Sequence, residues 1–361
     1  MQLKKNDKYY VVCPTNVITG GPDALHQMVY YMTEQGFNCK IAYLADKKRG
    51  LKIPEPYQVY ISDYTIFRNI KDITENTVII PETFSFLARK FKHAKVYIWW
   101  LSVDNNTVDL SFTRRLIYFI SSPFRILKHK TLYKSSVLSK ISNTVFCHEY
   151  SFDNERENVA HLCASYYALD IIGNKTQRPV YKCIEPISFL FLEKYRNEKE
   201  NCTRGDLILF NPKKSREIVN KLKLNYPLFE FMPLENLTQC ELIETYKRSK
   251  LYIDFGPFPG AERIPKEAVL YGCLIITGRK GASNYYGDVP IPDYYKFKDD
   301  DLENIAMRIN YCLNNYESCY HDFDKYRSIV LDLESNFKEN LNYIFASNNY
   351  HPANEIVNDR N

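Results

Sequence analysis

At 361 residues, with 45% apolar and 25% charged positions, the chain has globular composition, which excludes wholesale disorder. That length exceeds what one core usually serves, so two domains are expected. The net charge of +5 is too small to imply nucleic acid, and no apolar stretch approaches the roughly 20 residues that cross a bilayer. Ten cysteines stand singly with no CxxC, and Met1-Gln-Leu-Lys-Lys-Asn-Asp runs directly into a short apolar segment without a leader. Reduced thiols and a cytoplasmic location are therefore expected.

Short apolar runs alternate with helical spacing along the first half. Tyr9–Cys13 reads as a buried strand, and 22–35 as a helix with Leu25, Met28, Val29 and Met32 on one face and Gly36 as its stop. Further strands are expected at Cys39–Leu44, Tyr57–Ile61, Thr77–Ile80, Val96–Leu101 and Thr144–Cys147. A polar run, Glu193–Asp206, reads as a linker. The rhythm restarts with strand Leu207–Phe210, helix Ser215–Leu224, a strand near Phe229–Met232 and helix Thr238–Ser249. Strand Leu251–Phe255, helix Pro265–Tyr271, strand Leu274–Thr277 and a helix over Leu302–Leu313 complete it. This βαβ alternation predicts an α/β protein with a parallel sheet in each half. The expected division is an N-terminal domain over 1–192, a linker over 193–206 and a C-terminal domain over 207–322. A segment over 323–346 is expected to pack back across the domains, ahead of a mobile tail over 347–361.

Three loops at strand ends carry chemistry suited to an anion. Gly20 and Gly21 open the first helix, permit unusual dihedrals and leave amides for an anion; a plain turn is the alternative. Asn211-Pro-Lys213-Lys214 places two cations beside the positive end of a helix dipole, which asks for a compensating anion unless solvent alone screens them. The third loop brings Glu262, Arg263, Lys266 and Glu267 to a helix start. Arg263 and Lys266 suit a diphosphate and Glu267 a ribose diol; a capping and i,i+4 salt-bridge cluster is the alternative. Arg279 and Lys280 follow the next strand as further phosphate candidates.

Glu267-Ala-Val-Leu-Tyr-Gly-Cys-Leu-Ile-Ile-Thr277 resembles the E-A-x-x-x-G-x-P-V-I signature of GT-B-fold nucleotide-sugar glycosyltransferases. The order of His26-Gln27 after Gly-Gly-Pro, Trp99 to Asp104, Asn211 to Lys214, Pro265 to Ala268 and Asp288 to Pro292 resembles group 1 enzymes of bacterial capsule and lipopolysaccharide assembly. Ser165-Tyr-Tyr-Ala168 is similar to a serine-containing segment that closes the family's N-terminal sheet. The resemblance covers about Tyr9 to Lys296 and is strongest from Leu207 to Phe297. It implies GT-B architecture, two Rossmann-like α/β domains facing across a cleft, with the donor on the C-terminal one. It also implies a metal-independent glycosyltransferase whose nucleotide sugar is a substrate, with no cofactor. Lys213, Lys214 and Arg263 would neutralise the diphosphate, Glu267 would hold the ribose, and Gly20-Gly21 would approach the phosphates from the other domain. A sugar-nucleotide epimerase of the same fold, or a catalytically idle sugar-nucleotide-binding subunit, are the alternatives.

One position departs from the pattern. The retaining branch pairs two glutamates with seven residues between them, and the first falls here on Pro259, so retaining or inverting stereochemistry stays open. An inverting reaction needs a base near the acceptor hydroxyl. Candidates are Asp104, which follows two tryptophans able to stack on a sugar, then Glu82 and His26, with Asp23, His148 and Glu149 behind them. A turn-forming Asp104 and a satisfied helix-face His26 are the alternatives. Between Leu110 and His148 there is no acidic residue and there are seven Lys and Arg, interleaved with apolar side chains. Arg114, Arg115, Phe124, Arg125, Lys128 and Lys130 suit an anionic membrane surface or a lipid-linked glycan acceptor; a packed lid is the alternative. The expected partners are thus a nucleotide-sugar donor, a glycan or lipid-linked acceptor and an anionic membrane face.

Overall fold

The computed structural model describes residues 7–45, 50–105, 150–197 and 203–346. It divides into two compact units, Met1–Glu185 with Phe337–Asn361, and Pro186–Asn336. In the first unit the elements run β1 (Lys8–Cys13), α1 (Gly20–Glu34), β2 (Cys39–Tyr43), β3 (Tyr64–Ile66), β4 (Asn76–Pro81) and β5 (Lys95–Trp100). They continue with β6 (Val159–Cys163), α2 (Tyr166–Gly173) and β7 (Val180–Lys182). The seven strands lie in the order β3-β2-β1-β4-β5-β6-β7, every pair parallel. All six residues of β4, Asn76-Thr-Val-Ile-Ile-Pro81, are buried, as the unbroken β-branched run of a sheet covered on both faces requires. The chain leaves β1 in one direction and returns at β4 on its other side, so the strand order reverses between β1 and β4.

Several expectations are corrected here. Tyr57–Ile61 is not a strand: Glu55–Tyr57 forms a tight turn, and the sheet edge is Tyr64–Ile66 instead. Tyr57 is buried because its ring stacks on His26, centroids 4.2 Å apart, and not because it joins the sheet. Trp99 and Trp100 are fully buried. Their indole N–H groups donate to Cys183 O at 3.0 Å and His161 Nδ1 at 2.9 Å, so neither ring is presented to a sugar. His161 in turn donates from Nε2 to Glu155, forming a buried polar chain beneath the sheet end. The expected strand Thr144–Cys147, His148, Glu149 and the basic–aromatic run with Arg114, Arg115, Phe124, Arg125, Lys128 and Lys130 lie outside the described residues.

The second unit contains α3 (Phe189–Asn197), β8 (Gly205–Phe210), α4 (Pro212–Asn225), β9 (Glu230–Pro233), α5 (Gln239–Lys247) and β10 (Ser249–Asp254). Then follow α6 (Arg263–Leu270), β11 (Leu274–Gly278), β12 (Lys296–Phe297), α7 (Leu302–Asn314) and α8 (Tyr316–Tyr320). Its five parallel strands are ordered β12-β11-β10-β8-β9, and the order reverses between β8 and β10. α5 starts at a capping box in which Thr238 and Glu241 satisfy each other's backbone amides. A last helix, α9 (Asp324–Ala346), ends in the first unit, where Phe337 lies parallel to Trp99 at 6.0 Å and Phe345 meets Tyr9 and Tyr97 edge-on.

The described residues of the run 193–206 do not form a plain linker. The first of them finish α3, and Arg204 turns inward. The Arg204 guanidinium donates to the carbonyls of Tyr246 (2.9 Å), Ser249 (2.9 Å) and Tyr271 (2.6 Å). Tyr246 belongs to the last turn of α5 and Tyr271 caps α6, so one cation serves two helix C-termini, where the dipole favours positive charge. Among the described residues the cysteines are free thiols, and no helix is long and apolar enough to cross a membrane.

Candidate functional site

In open parallel sheets, ligands bind outside the carboxyl ends of the strands where the order reverses. In the second unit that place is flanked by the loops after β8 and β10, which are the two loops singled out for their charges. Asn211 caps α4, its side chain accepting from Lys213 N at 3.1 Å, with Pro212 at the first helical position. Lys213 is exposed, whereas Lys214 folds back over the loop after β10. The Lys214 ammonium pairs with Glu262 at 2.8 Å and lies 5.2 Å from the Phe258 ring centroid. Asp254, at the end of β10 and 1% exposed, accepts from Tyr252 Oη (2.7 Å), Gly256 N (3.1 Å) and Ser215 Oγ (3.4 Å). Burial raises the Asp254 and Glu262 carboxyls above their usual range, and Lys214 pulls both back down.

Glu262 precedes α6 without a side-chain cap bond, so its charge goes to Lys214. Lys266 is buried within electrostatic reach of Glu262, and Arg263 begins the helix. Glu267 is buried one turn on, where Tyr246 Oη donates to its Oε2 at 3.4 Å. The structure thus brings Asn211, Lys213, Lys214, Glu262, Arg263, Lys266 and Glu267 to one sheet edge. Arg279 and Lys280 are engaged otherwise: Arg279 pairs with Asp293 at 2.6 Å, and Lys280 pairs with Asp299. The sequence alone does not single out Asp254, Ser215 or Tyr246. Nothing in their spacing announces them, because their proximity depends on β8 and β10 being sheet neighbours.

In the first unit the reversal lies between the loops after β1 and β4. Gly20 and Gly21 start α1 there, but neither has a left-handed φ; Asn16 is the loop residue that does, at 54°. A Cβ on Gly21 would meet Leu101 Cδ1 at an ordinary 3.9 Å, so an unusual dihedral is not what these glycines supply. Tyr57 braces the loop, its Oη accepting from Thr19 N at 3.1 Å. His26 is fully buried, with Nδ1 2.6 Å from the Pro22 carbonyl and Nε2 2.7 Å from Tyr43 Oη. A carbonyl can only accept, so Nδ1 carries the proton and Nε2 accepts from Tyr43. Both nitrogens are committed, and burial pushes the imidazole down to about 4.

Glu82 directly follows β4 and is 4% exposed. It accepts from Leu101 N at 3.2 Å, and burial raises its carboxyl to about 8. Asp104 is exposed and accepts from Tyr167 Oη at 2.9 Å. Ser165 caps α2 through Oγ, which accepts from Ala168 N. His26 and Glu82 act oppositely on stability. His26 is depressed, so the unfolded chain binds its proton first and stability falls as pH drops from 6.5 toward 4. Glu82 is raised, so the folded chain binds its proton first and stability rises as pH drops from 8 toward 4.5. Between pH 7 and 5 each is worth about 2 kcal/mol and the two nearly cancel. Urea unfolding should therefore show a Glu82→Gln variant losing about 2 kcal/mol between pH 7 and 5, and a His26→Gln variant gaining as much.

No protein-family model matches the chain, and no curated protein matches it by sequence. Solved structures do match in fold. HepE from Anabaena, in complex with UDP and glucose, aligns with TM-score 0.55 at 9% identity over 94% of this chain and 100% of that one. WaaG, a glycosyltransferase involved in lipopolysaccharide biosynthesis, aligns with TM-score 0.50 at 9% identity over 94% and 100%. TarM aligns with TM-score 0.50 at 13% identity over 78% of this chain, which spans 57% of TarM's own length. With two parallel, doubly wound α/β units, the chain has the Rossmann-like fold shared by GT-B glycosyltransferases.

Proposed function

We propose that the protein is a glycosyltransferase that takes its sugar from a nucleoside-diphosphate donor bound to the second unit. The observation that supports this most is the gathering of Lys213, Lys214, Arg263, Lys266 and Glu267 where the strand order of the second sheet reverses. Cations and the amino end of α4 suit a diphosphate, and a buried, hydrogen-bonded carboxylate on the neighbouring helix suits a ribose diol. In the reaction, an acceptor hydroxyl oxygen bonds to the sugar's anomeric carbon. The bond from that carbon to the diphosphate oxygen breaks, and the electron pair leaves on the diphosphate. Protein cations and helix amides, rather than a metal, meet the leaving charge in this reading.

For an inverting reaction the acceptor proton goes to Asp104. It is exposed at the carboxyl edge of the first sheet, whereas Glu82 and His26 are buried and held by backbone or tyrosine partners. The acceptor we propose is a surface glycan or lipid-linked sugar, for which the stretch between Leu110 and His148, with seven Lys and Arg and no acidic residue, is the ground in sequence. The test is thermal unfolding with UDP, GDP, ADP and their glucose conjugates, UDP first because HepE was crystallised with it. A ligand at one hundred times its dissociation constant stabilises the folded state by about 2.7 kcal/mol, a shift of several degrees. If no nucleotide raises the melting temperature, the donor reading is wrong. Product analysis with the best donor then separates transfer from release of an isomerised sugar.

A further inference from the structure

Lys214 pairs with one carboxylate, Glu262, and lies in the field of another, Asp254, and the two are held differently. Asp254 is locked in place. Besides its bonds to Tyr252, Gly256 and Ser215, it is backed by Ser215 Oγ accepting from Phe255 N at 2.9 Å. This network ties the start of α4 to the turn after β10. The turn in its place lets the Lys214 stem lie flat on Gly256: a Cβ there would sit 2.2 Å from Lys214 Cβ and 2.8 Å from Cγ. Glu262, by contrast, stands just ahead of α6 and makes no side-chain capping bond there. Its side chain is 21% exposed and meets the Lys214 ammonium at 2.8 Å. A single ammonium is therefore paired with a replaceable carboxylate and lies within the field of a fixed one.

We propose that Asp254 is the positioning residue for the diphosphate subsite, and that Glu262 is the resident counter-ion of Lys214 that the donor diphosphate displaces. This rests on the donor reading above. Two anions cannot share one buried ammonium without repulsion, so the incoming phosphate exchanges with Glu262, while Asp254 keeps the lysine stem and the helix start in register. Removing the competitor strengthens phosphate binding; removing the brace weakens it.

Inorganic pyrophosphate probes this subsite whatever the base and sugar, with UDP, GDP and ADP alongside. Isothermal titration of the full chain is expected to show pyrophosphate binding tightened severalfold by Glu262→Gln and weakened at least tenfold by Asp254→Asn. Both effects should vanish in a Lys214→Ala background, the coupling a double-mutant cycle isolates. Opposite signs at neighbouring carboxylates cannot come from general loosening of the fold. Weaker binding in Glu262→Gln overturns the exchange, because Glu262 is then a direct donor contact. Unchanged binding in a folded Asp254→Asn overturns the positioning role. If Asp254→Asn does not fold, Ser215→Ala, which removes the hydroxyl joining Asp254 to the Phe255 amide, takes its place with the same expectation. A wild-type chain that binds a nucleoside diphosphate but shows neither effect leaves the donor reading standing and removes this inference. One that binds none removes both.

Discussion

Gly272→Ala is expected to destabilise the second unit by about 3–5 kcal/mol, measured as a drop in urea midpoint at unchanged slope. Gly272 has φ +88°, a left-handed backbone that an alanine reaches only at a cost of order 1 kcal/mol. The larger part is steric. The added Cβ would lie 2.3 Å from Arg204 Nη2 and 2.8 Å from Cζ. An arginine tip would ordinarily swing away, but this one is fixed by three carbonyls and lies over the Tyr316 ring at 5.7 Å. Tyr316 Oη also donates to Gly272 O at 2.7 Å, closing the other side. Moving the guanidinium strands carbonyls at the ends of α5 and α6, each loss worth about 1–3 kcal/mol. A near-wild-type midpoint would show that Arg204 has slack and that its carbonyl bonds contribute little.

This glycine also shows where sequence reasoning reaches and where it stops. It is the glycine of the E-A-x-x-x-G stretch, legible as part of a resemblance, yet its cause is Arg204, which stands in a run that reads as a polar linker. Backbone carbonyls have no spacing pattern, so an arginine whose partners are carbonyls looks like any solvated one. The parallel sheets were legible for the opposite reason. Runs such as Thr77 to Ile80 and Leu274 to Thr277 must be apolar throughout to be buried on both faces, and that leaves a mark in one dimension. Tyr57 to Ile61 mimics this mark because its aromatic residues are buried by stacking and bracing. Short β7 and β12, three and two residues long, are too brief to carry it.

The candidate site divides the same way. Charges at Asn211 to Lys214 and Glu262 to Glu267 could be seen as two clusters in the sequence, since each sits within one loop. Their union could not, because it follows from β8 and β10 being neighbours across the reversal. Asp254 shows the cost of that blindness. It reads as the last polar residue of a strand, while its carboxylate in fact joins the two clusters through Ser215 and the field of Lys214. Arg279 and Lys280, promising by charge alone, spend it on Asp293 and Asp299.

Glu267→Gln is expected to lower nucleoside-diphosphate affinity about 100-fold, near 2.7 kcal/mol, while leaving pyrophosphate binding as it was. A Lys213→Ala/Lys214→Ala double variant should weaken both probes. The contrast follows from position. The lysines stand at the amino end of α4, where only a phosphate needs them, and Glu267 lies a turn inside α6, where its carboxylate can accept two hydroxyl protons. Glutamine is the informative substitution because Tyr246 Oη, buried at 3.4 Å from Glu267, keeps an acceptor and the fold keeps its hydrogen bond. Alanine would leave that phenol stranded, at about 1–3 kcal/mol, and mix a folding defect into a binding result. Within the double variant, Lys214 should account for more of the loss, since its stem packs on Gly256 and its ammonium is held, whereas Lys213 is exposed and must be ordered on binding. Equal losses of pyrophosphate and nucleotide in Glu267→Gln would place that carboxylate on the phosphates rather than the ribose. The assignment of the two helix starts would then have to be exchanged.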